Sequence, residues 1–133
     1  MIHRTAIVLC GGKGTRLGQL GKKFAKTLIK AQGKPILWYI LNTLKKNGFN
    51  HFILPIGYKG EQIIKFVDKI KFRKCKIDTI DTGFNTPIAQ RIYKVKKFIK
   101  SEDFIIVNGD AIFDTNLNKI FKNHVLKKKD VSF

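Results

Sequence analysis

A glycine-rich run, Gly11-Gly12-Lys13-Gly14-Thr15-Arg16-Leu17-Gly18, follows a short apolar stretch near the start of the chain. Gly11, Gly12 and Gly14 let backbone N–H groups approach a phosphate or a base closely, while Thr15 adds a hydroxyl and Arg16 a permanent cation. Lys26 follows in the same connection, and a second apolar run ends in Asn108-Gly109-Asp110. On one rim, such residues suit a polyphosphate whose charge is bridged by a magnesium ion at Asp110. The spacing is neither GxxxxGK[ST] nor GxGxxG, which weakens an ordinary ATPase or a dinucleotide-binding reading. A bare glycine turn would account for Gly11 and Gly12 but gives Thr15, Arg16 and Lys26 no common role. Asn-Gly-Asp after a strand is equally an ordinary turn.

The elements that must position these residues alternate. Residues 4 to 10 read as a buried parallel strand running into the glycine loop. Pro35 can open a helix whose apolar face is Ile36, Leu37, Ile40, Leu41 and Leu44, ended by Asn47-Gly48. His51 to Ile56 gives a strand, and Ile63, Phe66, Val67 and Ile70 recur at helical spacing. A weaker strand, Cys75 to Ile80, precedes a helical pattern of Ile88, Ile92, Val95 and Ile99, and Phe104 to Val107 supplies another strand. A last helix carries Leu117, Ile120, Phe121 and Val125, with Asp114 or Thr115 placed to cap it. Asp130 to Phe133 looks like the opening of a further strand. The alternation predicts βαβ units: an α/β, Rossmann-like, mostly parallel sheet with helices on both faces, truncated before its end. In such sheets ligands bind beyond the carboxyl ends of the strands, which brings Gly11–Lys26, Thr82–Arg91 and Asn108–Ala111 to one rim.

The chain has 133 residues and is 44% hydrophobic, enough for one core and so one domain. The run Ala6 to Cys10 is too short for a signal or membrane segment, which predicts a cytoplasmic protein with no membrane partner. Cys10 and Cys75 are far apart, and His3, His51 and His124 show no metal-ligand spacing with them, so reduced thiols and no structural zinc are expected. A net charge of +18 would attract any polyanion at low salt. Most of it, however, is lysine alternating with core positions, which reads as solvated helix faces. No nucleic-acid-binding motif accompanies it, so no specific nucleic-acid partner is expected.

The run GGKGTRLGQLGKKFAKTLIKAQGKPIL resembles the sugar-phosphate nucleotidylyltransferase signature GGxGTRL, a spacer, PK, then GKPxL. GKPILWYIL, GYKGEQI and DTGFNTPIAQRI, in that order, look most like the glucose-1-phosphate cytidylyltransferase branch. The resemblance runs from Thr5 to the end and implies the nucleotide-diphospho-sugar transferase fold. It also implies transfer of a nucleoside monophosphate, CMP in this branch, from a nucleoside triphosphate to a sugar 1-phosphate such as glucose 1-phosphate, with magnesium on the phosphates and release of pyrophosphate. Carried over, Gly11, Gly12, Gly14, Thr15 and Gly109 line the nucleotide, and Arg16 holds the departing pyrophosphate. Lys26 sits beside the α-phosphate and the sugar phosphate, and Asp110 ligates the metal. Thr82, Gly83, Thr86 and Arg91 match DTGxxTxxxxR, a region that helps hold base and sugar, although Thr86 before Pro87 is also a good helix start.

The chain departs from that pattern in three places. Ala25 stands where the family has proline before the lysine and a second proline is missing, which predicts a looser loop. Ala89 and Gln90 replace a glycine pair before Arg91, leaving the choice of base open. The family's C-terminal half, with its second magnesium-binding aspartate and most of the sugar pocket, has no counterpart, since Asp114 and Asp130 are the only later acidic residues. The expectation is therefore an N-terminal nucleotide-binding domain over 1–133, with an apolar sheet edge open to another copy or a complementing subunit.

Overall fold

The computed structural model describes residues 3–133. Six strands and five helices follow in the order β1 (Thr5–Leu9), α1 (Gln19–Lys23), β2 (Lys30–Ala31), β3 (Lys34–Pro35), α2 (Ile36–Lys46), β4 (His51–Ile56), α3 (Gly60–Lys69), β5 (Lys76–Asp81), α4 (Ile88–Val95), β6 (Phe104–Asn108) and α5 (Leu117–Leu126). Four strands form one sheet in the order β5-β4-β1-β6, and every pairing in it is parallel. Strand β1 is central, with Ala6 level with Phe52 on one side and Ile105 on the other.

Because side chains alternate across a strand, each strand feeds two cores. Ala6, Val8, Phe52, Leu54 and Ile56 face α2, α3 and α5 through Leu37, Ile40, Leu41, Leu44, Ile63 and Leu117. On the other face Ile7 and Ile53 meet Val95 and Ile92 of α4, with Phe98 and Ile99 beyond it. Helices thus cover both faces, as the alternation predicts. In β6, Ile105 and Val107 join the first core, whereas Phe104 and Ile106 are left 38% and 42% exposed. Strand β6 is one edge of the sheet, opposite β5, and a groove of about 560 Å³ runs between it, α5 and residues 130–133.

Several local details differ from the sequence reading. Pro35 is the cap before α2 rather than its first residue, and the Ile36 N–H reaches back to the Ile29 carbonyl at 3.0 Å. Helix α4 stops at Val95 and runs into a 3-10 turn, Lys96–Phe98, so Ile99 packs from extended backbone. Asn116, not Asp114 or Thr115, caps α5, its Oδ1 accepting from the Lys119 N–H at 3.0 Å. Residues 130–133 join no ladder; they fold back along α5, with Ser132 Oγ 2.9 Å from His124 Nδ1. The β2–β3 hairpin was unexpected: Gln32 and Gly33 both have positive φ, 49° and 83°, the twist of a two-residue turn that suits a hairpin.

A polar ladder crosses the sheet at its amino end. Thr5 Oγ1 lies 3.2 Å from His51 Nδ1, and His51 Nε2 lies 2.8 Å from Asp78 Oδ2, which also pairs with Lys76 Nζ at 3.3 Å. Burial pulls the Asp78 carboxyl up, but hydrogen bonds from His51 and Lys76 and the charges of both outweigh it and hold it below the ordinary 3.8. A carboxylate with a lowered folded pKa contributes stability that is complete above its unfolded pKa and lost as pH falls through the folded one. The unfolding temperature of the wild type should therefore drop more steeply between about pH 5 and about pH 2 than that of Asp78→Asn. Parallel pH profiles would remove Asp78 from the acid response.

Candidate active site

The carboxyl ends of β1 and β6, with the loop entering α4, enclose a cavity of about 320 Å³ lined by Gly11, Gly12, Gly14, Lys26, Thr27, Thr86, Arg91, Asn108 and Asp110, among others. Strand β1 delivers the glycine loop. The Cys10 N–H is held by the Pro55 carbonyl at 3.3 Å, and the Leu9 carbonyl by the Gly109 N–H at 3.0 Å. Gly14 then turns the chain with φ 62° and ψ 35° into a 3-10 turn, Thr15–Leu17. Helix α1 closes on this turn so tightly that a Cβ on Gly21 would stand 2.3 Å from the Gly14 carbonyl oxygen.

Lys26 opens a second 3-10 turn, Lys26–Leu28, and its Nζ lies 2.6 Å from Asp110 Oδ2 across the cavity. The missing proline before it has a replacement: the Ala25 N–H, which proline would lack, donates to Gln62 Oε1 at 2.7 Å, and Gln62 Nε2 donates to the Lys23 carbonyl at 3.0 Å. That bidentate amide ties the turn to α3 at the place where the family has proline. Asp110 follows Gly109, where a Cβ would fall 2.6 Å from the Leu9 carbonyl oxygen and 2.8 Å from Thr27 Cγ2. The close approach sets the carboxylate at the end of β1.

The loop after β5 contributes differently. Thr86 lines the cavity and its hydroxyl donates to the Thr82 carbonyl. Thr82 is buried, its hydroxyl donating to the Ile56 carbonyl at 2.9 Å and accepting from Arg91 Nη1 at 2.7 Å. Arg91, 5% exposed, borders the cavity but turns its terminal nitrogens into the protein. Thr15 and Arg16 lie exposed on the adjoining turn, outside the cavity lining. Of the residues singled out from sequence, the structure thus brings Gly11, Gly12, Gly14, Lys26, Thr86, Arg91 and Asp110 around one cavity.

Four residues that matter here carry no individual role on sequence: Thr27, Asn108, Gly21 and Gln62. Thr27 lines the cavity and is 4% exposed, and its buried hydroxyl has no hydrogen-bond partner among the described residues. Asn108 was legible as part of Asn-Gly-Asp; the other three depend on contacts that no local pattern announces.

Among the described residues that line the cavity Asp110 is the one carboxylate, paired with Lys26. Burial first, and then the charge of Asp110, push the Cys10 thiol far above its ordinary pKa, so it stays protonated and is no nucleophile. Among the described residues no cluster of three His, Cys, Asp or Glu could hold a metal. A single carboxylate beside a cavity fits a magnesium ion only where ligand phosphates and water complete the coordination, which is how that ion commonly binds. No helix among the described residues is long and apolar enough to cross a membrane.

Comparison with known proteins agrees with this geometry. The probable glucose-1-phosphate cytidylyltransferase of Bacillus subtilis is 33% identical over 142 residues, covering 92% of this chain and 56% of its own length. The D-glycero-alpha-D-manno-heptose 1-phosphate guanylyltransferase of Campylobacter jejuni is 37% identical over 118 residues, covering 89% and 52%. The crystal structure of HddC from Yersinia pseudotuberculosis complexed with GMP-PN superposes with a TM-score of 0.79 at 29% identity, over 92% of this chain and 54% of that one. The chain thus spans about half the length of these relatives. Residues 5–133 match the nucleotidyl transferase family, and with the glycine loop, Lys26 and Asp110 gathered at one cavity, the chain belongs to that family.

Proposed function

We propose that this chain is the nucleotide-binding half of a sugar-1-phosphate nucleotidylyltransferase working in the cytoplasm. One observation carries the reading: Lys26 and Asp110 meet at 2.6 Å beside the glycine loop that ends β1. In the reaction an oxygen of the sugar 1-phosphate attacks the α-phosphorus of a nucleoside triphosphate. The new P–O bond forms as the bond to the β-phosphate bridging oxygen breaks, and pyrophosphate leaves with that electron pair. No protein nucleophile is required, so the chain's task is position and charge. The N–H groups of Gly11, Gly12 and Gly14 receive phosphate or base, with Thr15 and Gly109 beside them. Lys26 neutralises the α-phosphate and orients the sugar phosphate, while Arg16, on its exposed turn, takes the departing pyrophosphate. Asp110 would hold magnesium, which supplies further positive charge to the phosphates. Thr86 offers a polar wall toward base and sugar.

The DTGFNT stretch and the cytidylyltransferase of Bacillus subtilis favour CTP and glucose 1-phosphate; the guanylyltransferase relative makes GTP the competitor. The deciding experiment incubates the chain with magnesium, glucose 1-phosphate and each of the four nucleoside triphosphates, following pyrophosphate release, with nucleotide binding by calorimetry alongside. Preference for CTP is expected. Preference for another base overturns the cytidylyl assignment, and absence of both binding and turnover overturns the function. Binding without turnover favours a second reading, in which catalysis needs a complementing chain or copy; the open β6 edge, with Phe104 and Ile106 exposed, favours that reading.

A further inference from the structure

The geometry points to Arg91 as a positioning residue that sets the glycine loop through the Gly11 carbonyl and does not itself touch the nucleotide; this role rests on the nucleotide-binding function proposed above. Arg91 Nη2 donates to the Gly11 carbonyl at 3.1 Å and the Phe84 carbonyl at 3.4 Å. Nη1 donates to Thr82 Oγ1 at 2.7 Å, the Gly83 carbonyl at 2.9 Å and the Ile56 carbonyl at 3.3 Å. These acceptors lie at or just beyond the ends of β1, β4 and β5, so one guanidinium fastens three strand ends that share the ligand rim. A buried cation is costly unless its donors are met, and here both terminal nitrogens are met by the protein.

The surroundings are shaped for this group. A Cβ on Gly11 would stand 2.3 Å from Arg91 Nη1, and one on Gly57 would stand 2.7 Å from it and 2.4 Å from the Gly83 carbonyl oxygen. Gly11 and Gly57 therefore lack side chains because the guanidinium and its acceptors fill that space. The peptide plane gives the bond consequence for function. With the Gly11 carbonyl turned onto Arg91, the N–H of Gly12 in the same rigid plane must point the opposite way. Arg91 thereby fixes the direction of a donor in the loop that lines the cavity. Lysine cannot substitute, since its ammonium offers three donors from one point instead of a planar fork.

A contact to the base and a grip on the loop predict different patterns. The 133-residue chain is titrated by calorimetry with the magnesium salts of ATP, CTP, GTP and UTP and with tripolyphosphate, which has neither base nor ribose. Measurements are made at a temperature where thermal unfolding shows wild type and variant folded. Arg91→Lys is expected to weaken all five by a similar factor of about ten, the size of one charge-assisted hydrogen bond. Loss confined to one nucleotide, with tripolyphosphate unaffected, would establish a base contact and overturn the proposal. Unchanged affinities with a lowered unfolding temperature would leave Arg91 a purely structural residue and overturn it as well. Thr82→Val removes one acceptor and keeps the charge, so it carries the same uniform pattern at smaller size if Arg91→Lys does not fold. A wild-type chain that binds none of the five removes the nucleotide reading and this role together.

Discussion

Lys26→Ala is expected to slow pyrophosphate formation roughly a hundredfold, the value of one preorganised charge contact at about 3 kcal/mol, while leaving the unfolding temperature almost unchanged. The two effects separate because Lys26 and Asp110 are 38% and 32% exposed. A half-exposed ion pair contributes at most about 1 kcal/mol to folding, however short its distance. In the proposed reaction the same ammonium would face charge that develops on phosphate inside a cavity, where a fixed cation is worth more. If Asp110 holds magnesium as proposed, Asp110→Asn should instead raise the magnesium concentration needed for half-maximal rate. A coupled pyrophosphate assay and a thermal melt on each variant decide the matter. Turnover within a fewfold of wild type in Lys26→Ala, or a parallel collapse of stability, would place the lysine outside the chemistry.

The sheet was legible because its residues obey a local rule. Ala6 and Val8 on one side of β1, and Ile7 on the other, form an apolar run that only a strand buried on both faces needs. Likewise the spacing of Leu37, Ile40, Leu41 and Leu44 leaves one face of α2 to bury. Lys26 and Asp110 could be anticipated as neighbours because strand ends of a parallel sheet share a rim. Arg91 falls on that rim by the same rule and by its match to DTGxxTxxxxR, but there it reads as a contact to base and sugar. That its guanidinium turns inward is silent in the sequence, because it depends on the emptiness of Gly11 and Gly57, which lie far from it along the chain. Gln62 is equally silent, since its value lies in two carbonyl-side and amide-side bonds to the turn before Lys26, made across 37 and 39 residues. The hairpin at Gln32-Gly33 was missed because its strands are two residues long, too short for any alternation to register.

Two glycines in and beside the loop should differ in stability when each gains the same methyl group. At Gly12 a Cβ would meet no protein atom within 4 Å, and no positive φ is required there, so Gly12→Ala should fold with wild-type stability. If the loop's backbone approaches a phosphate or base as proposed, that methyl occupies ligand space, and nucleotide affinity should fall by roughly tenfold or more. At Gly21 the Cβ would stand 2.3 Å from the Gly14 carbonyl oxygen, a backbone atom that can move only with its loop. Gly21→Ala should therefore cost about 1–3 kcal/mol of stability, as overpacked sites do, and weaken binding indirectly by displacing Gly14. Urea unfolding and calorimetric titration with CTP, GTP and tripolyphosphate separate the two. Gly12→Ala that binds all three like wild type would move the ligand off the glycine loop, whereas Gly21→Ala with full stability would mean that α1 yields to the methyl group and does not brace the turn.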